Sequence, residues 1–114
     1  MEESATRRVE VADPKLREAV RRLAGLFEVE RIYLFGSRAR GDASAESDYD
    51  LMVIVGSSEL PPAERARQAY RALRGLGMAK DVLVWTSHEF DRRKHLPASF
   101  AATIVREGKL LDVA

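Results

Sequence analysis

The chain contains no cysteine, which excludes a disulfide framework, a thiolate metal site and a cysteine nucleophile. Aromatic residues make up only 7%, and the two histidines, His88 and His95, read as surface or packing residues. Neither sign of charge dominates, since 19 basic residues stand against 18 acidic ones for a formal net charge of +1. That balance gives no support to a general polyanion binder and argues against tracking along nucleic acid, which normally needs a basic surface. Long apolar runs are also missing. Stretches such as Leu51 to Val55 fall far below the ~18 residues of a membrane span. The Met1-Glu2-Glu3 start lacks the basic-then-apolar order of a secretory signal. A soluble, cytoplasmic protein with no membrane partner is the expectation.

What remains is one domain's worth of ordinary globular sequence: 114 residues, 46% apolar and 32% charged. There is little room for a separate substrate-binding domain. Of the basic residues only Lys15, Lys80, Lys94 and Lys109 are lysine. An arginine bias suits bidentate contacts to phosphate, although a hot-adapted host explains it as well.

Residues 1–12 read as a flexible tail, or as an edge strand through Val9 and Val11, ahead of a single domain over 13–114. Asp13-Pro14 places an N-cap before a proline at the first helical position. Leu16, Ala19, Val20, Leu23, Ala24 and Phe27 then recur at helical spacing, predicting an amphipathic helix over 14–28. A strand over 31–35 ends at Gly36-Ser37, and a polar loop runs over 38–47. The strongest strand follows at 48–55. Pro61-Pro62 opens a second helix, with Ala66, Ala69, Tyr70, Leu73 and Leu76 on one face, and a third strand covers 81–85. Tyr70 and Trp85 are read as core anchors, with nucleobase stacking as the alternative. Ser87 is read as the cap of a helix reaching Lys94, a last helix spans 98–106, and 109–113 adds an edge strand. This order predicts an α/β (α+β) domain with one small sheet covered by helices.

The carboxylates point to chemistry. On a strand, Asp48 and Asp50 project from the same face roughly 6–7 Å apart, while Tyr49 and Leu51 take the other. Adjacent carboxylates repel, and partial burial worsens this unless a cation neutralises the pair. Oxygen-only ligands favour Mg²⁺, with Mn²⁺ as the alternative. Asp81 opens the third strand, and if that strand neighbours 48–55 its carboxylate lies about 5 Å away. Three acids at one sheet edge are able to hold two metals ~3.5–4 Å apart for phosphoryl transfer. Gly36 and Ser37 form a turn, ahead of a segment that could open a short helix, whose amides and hydroxyl suit phosphate, and Arg38 and Arg40 lie where they could reach a triphosphate. Asp42 and Glu46 share the loop without an evident partner. Gly75-Leu76-Gly77 ends a helix where a dinucleotide fingerprint would begin one, and no P-loop is present.

Leu34-Phe35-Gly36-Ser37-Arg38-Ala39-Arg40-Gly41-Asp42, followed by Ser47-Asp48-Tyr49-Asp50-Leu51-Met52-Val53, resembles the minimal nucleotidyltransferases of the DNA polymerase β superfamily. The likeness extends over residues 14–111, including Asp81-Val82-Leu83-Val84 and the last stretch from His95 to Leu111. It implies a palm-like fold and in-line attack on the α-phosphorus of an NTP with release of pyrophosphate. Gly36 and Ser37 would hold nucleotide phosphate, Asp48 and Asp50 would ligate two Mg²⁺ ions, and Asp81 would ligate the catalytic one and help deprotonate the acceptor. Small members of this kind pair with a helical HEPN-domain protein encoded beside them, as antitoxin and toxin in a hetero-oligomer. Some transfer AMP from ATP to a tyrosine hydroxyl of that partner. Two rival expectations are a non-catalytic antitoxin that neutralises its partner by covering it, and nucleotide transfer to an RNA end.

Overall fold

The computed structural model describes residues 8–111. The elements in chain order are β1 (Arg8–Val9), α1 (Pro14–Leu26), β2 (Val29–Phe35), α2 (Ser37–Arg40) and β3 (Tyr49–Val55). Then come α3 (Pro62–Ala72), β4 (Lys80–Thr86), α4 (Ser87–Arg93), α5 (Phe100–Glu107) and β5 (Lys109–Leu111). Of the expected N-terminal segment, 1–7 lies outside the described residues, as do Asp112 and Val113 of the expected last strand.

The strands form one mixed sheet in the order β1-β5-β2-β3-β4. β2 runs antiparallel to both β3 and β5, whereas β3 and β4 are parallel. A parallel neighbour needs a crossover, and α3 supplies it. Strand alternation splits the core into two layers. Leu51, Val53 and Val55 of β3 meet Leu16, Ala19, Val20 and Leu23 of α1 and Ala69 of α3. Met52 and Ile54 face the other way, onto Phe90, Ala101 and Ile104 of α4 and α5. β3 is thus apolar on both faces because both are covered, and Leu51 to Ile54 are 0% exposed. Each such side chain contributes about 1.5–3 kcal/mol of burial.

The Asp13 side chain accepts from the amides of Lys15 and Leu16, which starts α1 at Pro14 as the Asp-Pro pair predicts. The start of α4 differs from expectation by one residue. Thr86, not Ser87, is the cap: its side chain accepts from the Glu89 amide while Glu89 reaches back to the Thr86 amide. The acid must stand three places after the cap for this reciprocal box, and Thr86 meets that spacing.

β4 is the exposed edge of the sheet, and side chains close it. The Tyr70 hydroxyl accepts from the Val82 amide at 2.9 Å. Arg65 donates to the Val84 carbonyl at 2.8 Å, and Glu89 accepts from the Thr86 amide at 2.8 Å. These bonds blunt an edge that would otherwise pair with a foreign strand. Arg65 is only 2% exposed and is neutralised by a two-pronged contact to Glu89, both bonds at 3.0 Å.

Candidate active site

The parallel register sets Asp50 directly beside Asp81, and the antiparallel register sets it beside Phe35. Asp48 stands two residues before Asp50, so both acids share the face of Met52 and Ile54. Asp81 shares the face of Leu83 and Trp85, which pack on that same layer. The three acids are therefore neighbours at one sheet edge, with Asp50 half-buried between the exposed Asp48 and Asp81. Burial, and then the charges of Asp81 and Asp48, push the Asp50 carboxyl above the ordinary Asp range, with Arg40 pulling the other way. Among the described residues no three His, Asp or Glu side chains already close into a metal cluster. The oxygen-only donor set and the mutual repulsion of its members nevertheless fit a hard divalent cation.

β2 ends at Phe35 beside Asp50, and the chain turns at once through Gly36, with φ 76° and ψ −156°. Only glycine is at ease there, and the approach is close. A methyl group at Gly36 would lie 2.1 Å from Oδ2 of Asp50. The turn thus carries Gly36 and Ser37 against the acidic edge. Residues 38–47 are not all loop, because Ser37–Arg40 forms the short α2, closed by Gly41 in the left-handed region. The amides of Ala39 and Arg40 both donate to the Gly36 carbonyl at 3.1 Å, while those of Ser37 and Arg38 precede the first of these bonds.

The two arginines diverge. Arg40 lies on the acidic side, close enough to act on Asp50, and its Nε donates to Asp42 at 3.4 Å. Arg38 does not join that edge. Its guanidinium stands 3.8 Å over the Tyr49 ring and donates to the carbonyls of Ser47 at 2.9 Å and Ala45 at 3.2 Å. Tyr49 faces the layer opposite Asp48 and Asp50, and its hydroxyl donates to Asp13 at 2.6 Å. Arg38 lines a cavity of ≈ 310 Å³ there with Lys15, Tyr49 and Met78. It holds the loop that delivers Asp48.

Tyr70 is not a core anchor. It is 37% exposed, and its hydroxyl donates to Oδ1 of Asp81 at 3.2 Å while accepting from the Val82 amide. Helical spacing put Tyr70 on the apolar face of α3, but that face overhangs the rim of β4, so the ring reaches round it. Trp85 is half-buried beside Phe90 and Phe100, with Arg93 over its ring at 5.5 Å.

Three carboxylates are thus gathered at one sheet edge beside a tight glycine turn. The model of the nucleotidyltransferase domain family matches residues 14–110, and the chain belongs to that family. A Methanocaldococcus jannaschii protein named "putative protein adenylyltransferase" is 32% identical over 57 residues, covering 50% of this chain. The match spans 56% of that relative's length. The crystal structure of a "putative nucleotidyltransferase" from Sulfolobus solfataricus superposes with a TM-score of 0.62 at 29% identity, covering 85% of this chain and 76% of that one. No helix among the described residues is long and apolar enough to cross a membrane.

Proposed function

We propose that the chain transfers a nucleoside monophosphate, AMP from ATP, onto a hydroxyl of a partner protein. The observation that carries this is the juxtaposition of Asp48, Asp50 and Asp81 with the Gly36-Ser37 turn in a chain of the nucleotidyltransferase family. The name of the M. jannaschii relative supports the protein acceptor and the adenylyl group. The resemblance to minimal nucleotidyltransferases supports a HEPN-domain partner in a toxin–antitoxin pair.

Asp48, Asp50 and Asp81 would hold Mg²⁺, which when bound neutralises triphosphate charge and favours in-line attack at the α-phosphorus. The remaining work falls to the chain. Gly36 lets the backbone pass beside Asp50, so that the Ser37 hydroxyl and the amides of Ser37 and Arg38 meet the phosphates. Arg40 adds a positive charge on the same side. Asp81, on the exposed rim strand β4, takes the acceptor's proton as the new P–O bond forms. Arg38 positions Asp48 through the 41–47 loop rather than touching nucleotide.

Co-expression with the protein encoded beside it, followed by intact mass measurement of that partner, tests the proposal. The partner should gain AMP with the wild-type chain and remain unmodified with the Asp48→Ala/Asp50→Ala variant. An unmodified partner that still co-purifies would replace catalysis with neutralisation by binding.

A further inference from the structure

We infer that the Tyr70 hydroxyl stands in the acceptor's place and is itself a site of nucleotidylation, so that the chain modifies itself in cis when it holds a nucleoside triphosphate and no other acceptor. This rests on the transferase reading above.

An acceptor hydroxyl must lie within hydrogen-bond reach of the carboxylate that receives its proton. Tyr70 meets that condition, donating to Oδ1 of Asp81 at 3.2 Å. The other tyrosines do not. Tyr33 is 3% exposed, inside the second core layer, and Tyr49 is tied to Asp13 on the opposite face. Among the described residues no other hydroxyl bonds to any of the three acids. The mount is firm, because Ala69 and Leu73 beside Tyr70 are both 0% exposed. The Val82 amide, donating at 2.9 Å, further fixes the phenol oxygen. A nucleophile held this way reacts as part of the same molecule, with a large entropic advantage over one arriving from solution.

The Tyr70 oxygen bonds to the α-phosphorus, and the bond from that phosphorus to the oxygen bridging the β-phosphate breaks. Pyrophosphate leaves with the electron pair, and the phenolic proton passes to Asp81. The product is a phosphodiester-linked nucleoside monophosphate on Tyr70. It covers Asp81, so the modification blocks the site to later acceptors.

The purified chain, with no partner, is incubated with ATP and Mg²⁺ and followed by intact mass, with tandem mass spectrometry to locate any adduct. ATP binding is measured in parallel by equilibrium dialysis. We expect one AMP per chain on Tyr70, at a rate independent of protein concentration, and none on the Tyr70→Phe or Asp50→Asn variant. Mapping the adduct in the wild-type chain keeps the test valid if Tyr70→Phe folds poorly. If the chain binds ATP but stays unmodified, or the adduct sits elsewhere, or the rate rises with concentration, self-transfer in cis is wrong and the transferase reading stands. If no ATP binds, both fall.

Discussion

Replacing Gly36 with alanine should damage stability and chemistry together, and the structure says by how much. The backbone at Gly36, φ 76° and ψ −156°, lies in a region almost reserved for glycine, where a side chain costs on the order of 1–3 kcal/mol. In a domain near 100 residues that corresponds to a fall in Tm of roughly 5–20 °C. The new methyl would also lie 2.1 Å from Oδ2 of Asp50, and ordinary contact begins at 3.4 Å, so the carboxylate must retreat by about 1.3 Å. A displacement of about 1 Å at a reacting centre is enough to lower the rate ~100-fold. Gly75 provides the control. It has φ +89° but nothing within 4 Å of the added carbon, so Gly75→Ala should lose stability and leave AMP transfer intact. Thermal unfolding and AMP transfer measured on both variants separate backbone strain from carboxylate displacement. Full transfer activity in a folded Gly36→Ala variant would refute the claim that this close approach shapes the site.

Other outcomes follow from the same contacts. Hydrogen bonds from Arg65 hold the Glu89 carboxyl at about 2, against an ordinary 4.5, so the pair contributes on the order of 3 kcal/mol above about pH 4.5. The unfolded chain takes up the proton first on acidification, and this stability is lost as pH falls toward 2. Glu89→Gln should therefore lower stability at pH 7 by about 3 kcal/mol or more, since it strands a buried arginine, and should flatten the acid limb of the unfolding profile. Asp50→Asn should do the reverse without divalent cations. The Asp50 carboxyl is raised by burial and by Asp81 and Asp48, so its ionisation destabilises the fold as pH rises. The variant should melt higher than wild type at pH 8, with the gain fading below the Asp range, while AMP transfer disappears. Tyr49→Phe removes the 2.6 Å bond to Asp13 on the face away from the acids. It should cost about 1 kcal/mol in urea unfolding and change the rate of transfer little.

The parts legible in the sequence were those set by local rules. Asp13-Pro14 marked a helix start because cap and proline act within one turn. The run from Asp48 to Val55 marked a central strand whose leading acids share a face, because side chains alternate on any strand. What escaped depended on which strand becomes the rim. Arg65, Tyr70 and Glu89 look like solvated or helical-face residues until β4 is known to be an edge with backbone groups to satisfy. Helical spacing sent Tyr70 to the core, yet the same spacing at the overhanging end of α3 delivers it to Asp81. Arg38 and Arg40 are two residues apart on the short helix after Gly36-Ser37, and their opposite destinations depend on how that helix sits against β2 and β3, which no local rule reveals. Thr86 and Ser87 are both competent caps, and only the Glu89 spacing chooses between them.

Supplying ATP labelled at either the α- or the γ-phosphate, with Mg²⁺ and the partner protein, shows which part of the nucleotide reaches the acceptor. The α-label should become covalently attached to protein and the γ-label should leave as pyrophosphate, and Asp50→Asn should abolish both. Retention of the γ-label on protein, or α-label transfer undiminished in Asp50→Asn, would contradict AMP transfer at this site.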